Sequence, residues 1–228
     1  MKRFYTLFFV LVTVLFAQDS SYEVYRKTIN HMGPNDTEFL MQMVESKDFS
    51  TPIKVLAVER LGQLVESGHQ SVSPKIGQLY PKLSEAYDAH PDFGLPYNHE
   101  KIRRAVCLSL SQFEGTDQKQ PIIDIIAAKL AKEKVLLVYG SCMQALSTYI
   151  KHEPDKIVDV LLKELMTYGF TKEAGYTDEN IAKIQSIVTA MGDTNSKKAF
   201  VPLLRVLESG LPISVKKTAE VSIDRIEL

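Results

Sequence analysis

The sequence predicts an all-α protein made of paired helices, and three observations carry that prediction. No run of alternating apolar residues bounded by hairpin turns occurs in the body of the chain. Apolar residues recur instead at steps of three and four, as in Ile122, Ile125, Ile126 and Leu130, or Ile157, Val160, Leu161 and Leu165. The starts and ends of these stripes carry Pro and Gly in the order that suits helices.

In chain order, a short helix is expected over roughly 21–31, followed by five pairs. The first pair is 37–47 with 52–66; Thr51-Pro52 opens its second member and Gly68 closes it. Ser73-Pro74 opens the second pair, 74–88 with 99–113, and Gly115 follows it. Gln120-Pro121 opens the third, 121–133 with 135–150. Glu153-Pro154-Asp155 opens the fourth, 155–168 with 178–191, whose first helix ends before Gly169. The fifth is 197–209 with 213–226, where Phe200, Leu203, Val206 and Leu207 form the stripe, and Gly210 and Pro212 mark the joint. Proline at a first helical position costs little, because that N–H has no partner inside the helix. Most joints are short; 89–98, "AHPDFGLPYN", and 169–177, "GFTKEAGYT", are longer.

The second helices align on one another. "IKVLAVERL" (53–61), "IRRAVCLSL" (102–110), "VYGSCMQAL" (138–146), "KIQSIVTAM" (183–191) and "VKKTAEVSI" (215–223) share small or apolar fifth and last places. Those pairs are Ala57 and Leu61, Val106 and Leu110, Cys142 and Leu146, Ile187 and Met191, and Ala219 and Ile223. The opening place is apolar except at Lys183, and a basic residue follows it at Lys54, Arg103 and Lys216. The last places step irregularly around ~40 residues, with the wide steps at the long loops, as loop insertions in a helical repeat would do.

These motifs, with first helices such as "QLYPKLSEAY" and "AFVPLLRVL", resemble HEAT repeats, and "AMGDTNSKKAFVPLLRVL" is similar to the HEAT-like variety. The resemblance covers about 37 to the end. It implies a right-handed α-solenoid (α-α superhelix) of about five two-helix repeats. Departures are Lys183 at an opening place, Tyr139 where a basic residue is common, and Pro81 and Pro202 within first helices. Such prolines are expected to kink a helix or mark a late start. The resemblance places a partner on the concave face lined by second helices. The polar places there would be Lys54, Arg60, Arg103, Arg104, Tyr139, Lys183, Lys216 and Lys217, a mainly basic stripe, with Tyr139 the preferred exposed contact. The expected partner is a protein offering an acidic or extended segment; the same stripe also reads as an ordinary solvated face.

Other chemistry is sparse. His90, Asp92, His99 and Glu100 are metal-ligand types, but their spacing matches no metal motif and their loop is an ordinary polar surface segment. "GSC" at 140–142 lies in a helix instead of a strand-to-helix elbow, so it reads as a small-residue packing patch. No Gly-rich phosphate loop occurs. No enzyme activity, cofactor or metal is therefore expected. Cys107 and Cys142 sit on apolar helical faces; each reads as a small buried hydrophobe, and export would also permit a bridge.

The first residues supply the compartment. Lys2 and Arg3 precede an apolar run from Phe4 to Phe16, then Ala17 and polar Gln18, Asp19 and Ser20, the order of a secretory signal. The run falls short of the ~20 residues that span a bilayer, so cleavage after Ala17 is expected in preference to an uncleaved anchor. The division is then 1–17 signal peptide, 18–36 capping helix and 37–228 repeat domain. Removing Lys2 and Arg3 leaves 25 basic against 28 acidic residues, a near balance that gives no reason to expect nucleic acid. Together these readings describe an exported, non-catalytic scaffold or adaptor in the periplasm or cell envelope. Its rivals are a structural part of a large envelope assembly and a lyase-like enzyme or accessory subunit.

Overall fold

The computed structural model describes residues 22–67, 76–88, 96–170 and 175–227. The signal peptide expected over 1–17 lies outside them, as do His90 and Asp92. The described residues are helical, with no strand among them. α1 spans 22–31. The pairs follow: α2 (Thr37–Glu45) with α3 (Thr51–Ser67), α4 (Ile76–Asp88) with α5 (Pro96–Leu110), α6 (Lys119–Leu130) with α7 (Leu136–Ser147), α8 (Pro154–Met166) with α9 (Asp178–Asp193), and α10 (Lys197–Glu208) with α11 (Ile213–Ile223). Each matches an expected helix to within a few residues.

The caps are chemical. Thr177 accepts from the Asn180 N–H and so caps α9; Ser196 accepts from Lys198 N–H and caps α10. Pro154 opens α8. Between α9 and α10, Asn195 takes φ 47°, a left-handed conformation that Asn tolerates better than most residues. Pro81 and Pro202 do not mark late starts: each lies inside a helix that continues on both sides.

Helices touch their pair mates, and the second helices touch one another in chain order: α3 with α5, α5 with α7, α7 with α9, α9 with α11. First helices meet as α2 with α4, α6 with α8 and α8 with α10. The core is one cluster running from Ile29 to Ile226. The aligned places build it: Ala57, Leu61, Val106, Leu110, Cys142, Leu146, Ile187, Met191 and Ala219 are all buried. α1 closes the first end, with Ile29 buried and Tyr25 edge-on to Phe49 at 5.6 Å.

Two glycines set how closely the second helices approach. A Cβ on Gly192 would lie 2.6 Å from the Ser222 Cβ and 2.7 Å from its Cα. One on Gly62 would lie 3.0 Å from the Ser109 Cβ. Gly–Ser contact thus recurs at α3–α5 and α9–α11, at corresponding places of the repeat. Gly192→Ala must push α11 backbone away, so we expect a loss of ~1–3 kcal/mol, the range for overpacking. A denaturant midpoint equal to wild type would sink this placement.

Cys107 and Cys142 are bonded to each other, joining α5 to α7 beneath the surface. The reading of each as a free buried hydrophobe gives way to the bridge.

Candidate partner-binding face

The aligned second helices bury one side and expose the opposite one. Glu59, Leu108, Gln144 and Val221 share an exposed place, two residues before each last place, and Thr189 joins them half-buried. Val55, Arg104, Gly140, Gln185 and Lys217, four residues earlier, line up beside them, from half-buried to exposed. This outer face is therefore mixed: carboxylate, amide, apolar and cationic groups share it.

It is not the basic stripe expected from sequence. Of the eight residues assigned to that stripe, only Lys217 is exposed, while Lys54, Arg60, Arg104 and Lys216 are half-buried. Burial also lowers the Lys54 pKa. Arg60 is turned back on α1, its Nε and Nη2 donating to the Met32 carbonyl at 2.9 and 2.7 Å. Arg104 donates from Nε to Ser141 Oγ at 3.3 Å, bridging α5 and α7.

Arg103, Tyr139 and Lys183 are buried, which corrects their assignment as contact residues. Arg103 and Tyr139 stand at the place after the opening residue and Lys183 at an opening place, and each meets groups of a neighbouring helix pair. Arg103 is 2% exposed and pairs with Glu133 in the α6–α7 turn, Nε to Oε2 at 3.2 Å. The same carboxylate accepts from the Tyr87 hydroxyl at 2.7 Å and the Val135 N–H at 2.8 Å. Tyr87 in turn lies under the Lys129 ammonium, 4.8 Å from its ring centre, and Lys129 also pairs with Asp88. Glu133 is thus the hub of a buried network that joins units two and three.

Lys183 fills the opening place of unit four with its aliphatic stem. Its ammonium sits 5.1 Å from the Tyr139 ring centre, pairs with Glu179 at 3.0 Å and donates to the Glu133 carbonyl at 3.2 Å. A lysine can occupy this apolar place because its charged head finds partners while its stem packs. Tyr139 is 1% exposed, the opposite of the contact expected there. Its hydroxyl is buried, with the Tyr168 hydroxyl and the Glu164 carboxyl the polar groups that act on it. Burial drives the Tyr139 pKa far up and pushes Tyr168 up to about 12.

Glu164 is buried beside this pair, and desolvation raises its carboxyl pKa against the lowering pull of Tyr168 and Lys183. A carboxyl raised in the folded state favours the protonated form there. Stability from this group is therefore present at low pH and is lost as pH rises from about 4.5, its ordinary value, through the folded value. We expect Glu164→Gln to melt higher than wild type at pH 7, with the difference shrinking as pH falls toward 4.5. A constant difference across that window would contradict the assignment.

Several of these groups have weak sequence signatures. Tyr87 is legible, since Leu79, Leu83 and Tyr87 step by four. Glu133 is not: it stands in a turn, where a polar residue carries no pattern. The "GSC" segment divides, because Ser141 and Cys142 are buried as a packing patch should be, whereas Gly140 is exposed with nothing within 4 Å of a Cβ placed on it. Among the described residues no group of three or more His, Cys, Asp or Glu could hold a metal ion, and no helix is long and apolar enough to cross a membrane.

The first-helix side carries a groove of ≈ 500 Å³ between α6 and α8, floored by Ala127, Ala128 and Ala131. Lys156 on its rim is already paired with Asp124 at 2.8 Å. A smaller depression of ≈ 200 Å³ lies on the outer face between α3 and α5, beside Glu59 and Leu108. No known protein family, curated protein or solved structure matches the chain.

Proposed function

We propose that this chain is an exported, non-catalytic scaffold or adaptor: a right-handed HEAT-like α-solenoid whose second-helix layer holds another protein in the periplasm or cell envelope. The observation that carries this reading is the unbroken contact of second helices in chain order, from α3 to α11. A stack in which each unit leans only on its neighbours leaves one long surface along the layer, suited to an extended partner. The Cys107–Cys142 bridge fits an oxidising compartment. Support for an acidic partner rests on the cations left at the surface, because Arg103 and Lys183 are spent on buried contacts.

Affinity capture of the tagged full chain from intact envelopes tests the reading. One dominant protein partner is expected, released by substitutions on the outer face. Recovery of a small molecule alone would overturn it.

A further inference from the structure

Resting on the scaffold reading, we infer that the centre of the outer face, around Gly140, is the seat of an extended partner segment that carries a carboxylate next to an apolar side chain. The first observation is Gly140 itself. Gly62, Gly140 and Gly192 all lie inside second helices, where glycine weakens a helix. Gly62 and Gly192 have packing reasons, since a side chain there would strike Ser109 or Ser222. Gly140 has none: the space over it is open. A bare helical backbone facing solvent suits the close approach of another backbone, which any side chain at this place would hold off.

The second observation is charge. Lys101 and Arg104 stand three residues apart on α5, so they share a face. Neither is paired with a carboxylate among the described residues, unlike the network lysines and arginine beneath them. Arg104 is held by Ser141, the residue after Gly140, which fixes its guanidinium beside the bare backbone. A planar guanidinium takes a carboxylate in a forked pair.

The third observation is apolar. Leu108 follows Arg104 by four residues and is 37% exposed; Leu137 precedes Gly140 by three and is 59% exposed. Gln144 continues the α7 ridge with an amide able to bond a peptide backbone. The bridge between Cys107 and Cys142 ties the two ridges together, so their spacing is set before a partner arrives. A segment crossing from α5 to α7 would give its carboxylate to Arg104 and Lys101, rest its apolar side chain on Leu108 or Leu137, and run its backbone over Gly140.

The test is panning of a random-peptide library displayed on phage against the immobilised full chain. The expected outcome is enrichment of peptides that carry Asp or Glu beside an apolar residue. Binding of such a peptide should fall at least ~10-fold for Arg104→Gln and for Gly140→Gln. Gly140→Ala should melt no lower than wild type while still binding less, a combination that a purely structural glycine would not give. Enriched peptides that bind all three variants as they bind wild type would overturn this seat and leave the scaffold reading standing. Failure to enrich any specific peptide would overturn both.

Discussion

Arg103→Met is expected to lower folding stability by about 3–5 kcal/mol, as for other buried pairs that lose one partner. The loss comes less from the pair's attraction than from what is left behind. Glu133 would remain in a site where Arg103 and Glu133 are only 2% and 5% exposed, its charge no longer balanced. The Tyr87 hydroxyl and the Val135 N–H would still donate to it, but hydrogen bonds do not neutralise a buried charge. The double variant Arg103→Met/Glu133→Gln should recover much of the loss. Its amide oxygen can accept from the Val135 N–H while its NH2 donates to the Tyr87 hydroxyl oxygen, and neither carries charge. Urea unfolding of both variants measures the difference. Should Arg103→Met unfold at the wild-type midpoint, the pair is not buried as described.

Removing the bridge should act on a similar scale through a different state. Cys107 and Cys142 are separated by 35 residues, and closing a loop of that size in the unfolded chain restrains it by about 3–4 kcal/mol on the loop-entropy account. A paired Cys107→Ala/Cys142→Ala variant should therefore melt roughly 6–16 °C lower, at about 2–4 °C per kcal/mol for a chain of this size. Labelling of denatured, unreduced protein should find no free thiol. Two labelled cysteines would sink the assignment.

The helices themselves are legible in the sequence because their signals are local. Stripes at three- and four-residue steps and start signals such as Pro154 act within one or two turns. The aligned fifth and last places also report burial well, since an apolar residue that recurs at one place of a repeat recurs because that place faces the core. The stripe of basic residues misleads because its partners are remote. Charge at Arg103 and Lys183 suggests solvent only when the partner is unknown, and Glu133 lies 30 and 50 residues away in sequence. Tyr139 misleads in the same way: its place repeats a polar residue elsewhere, but here it turns inward onto Lys183. Gly140 sits in sequence among small neighbours, and only the geometry separates a glycine that lets helices meet from one that faces open space.

The bridge has a mechanical consequence. If the two ends of this chain are pulled, the outer pairs can peel away one after another, because each helix leans on near neighbours. The segment between Cys107 and Cys142 cannot lengthen, whatever the load, while the bond survives. At about 3.5 Å per extended residue, on the order of 120 Å of chain is withheld from stretching. A tether built this way would yield at its ends and keep α5 and α7 side by side at its centre.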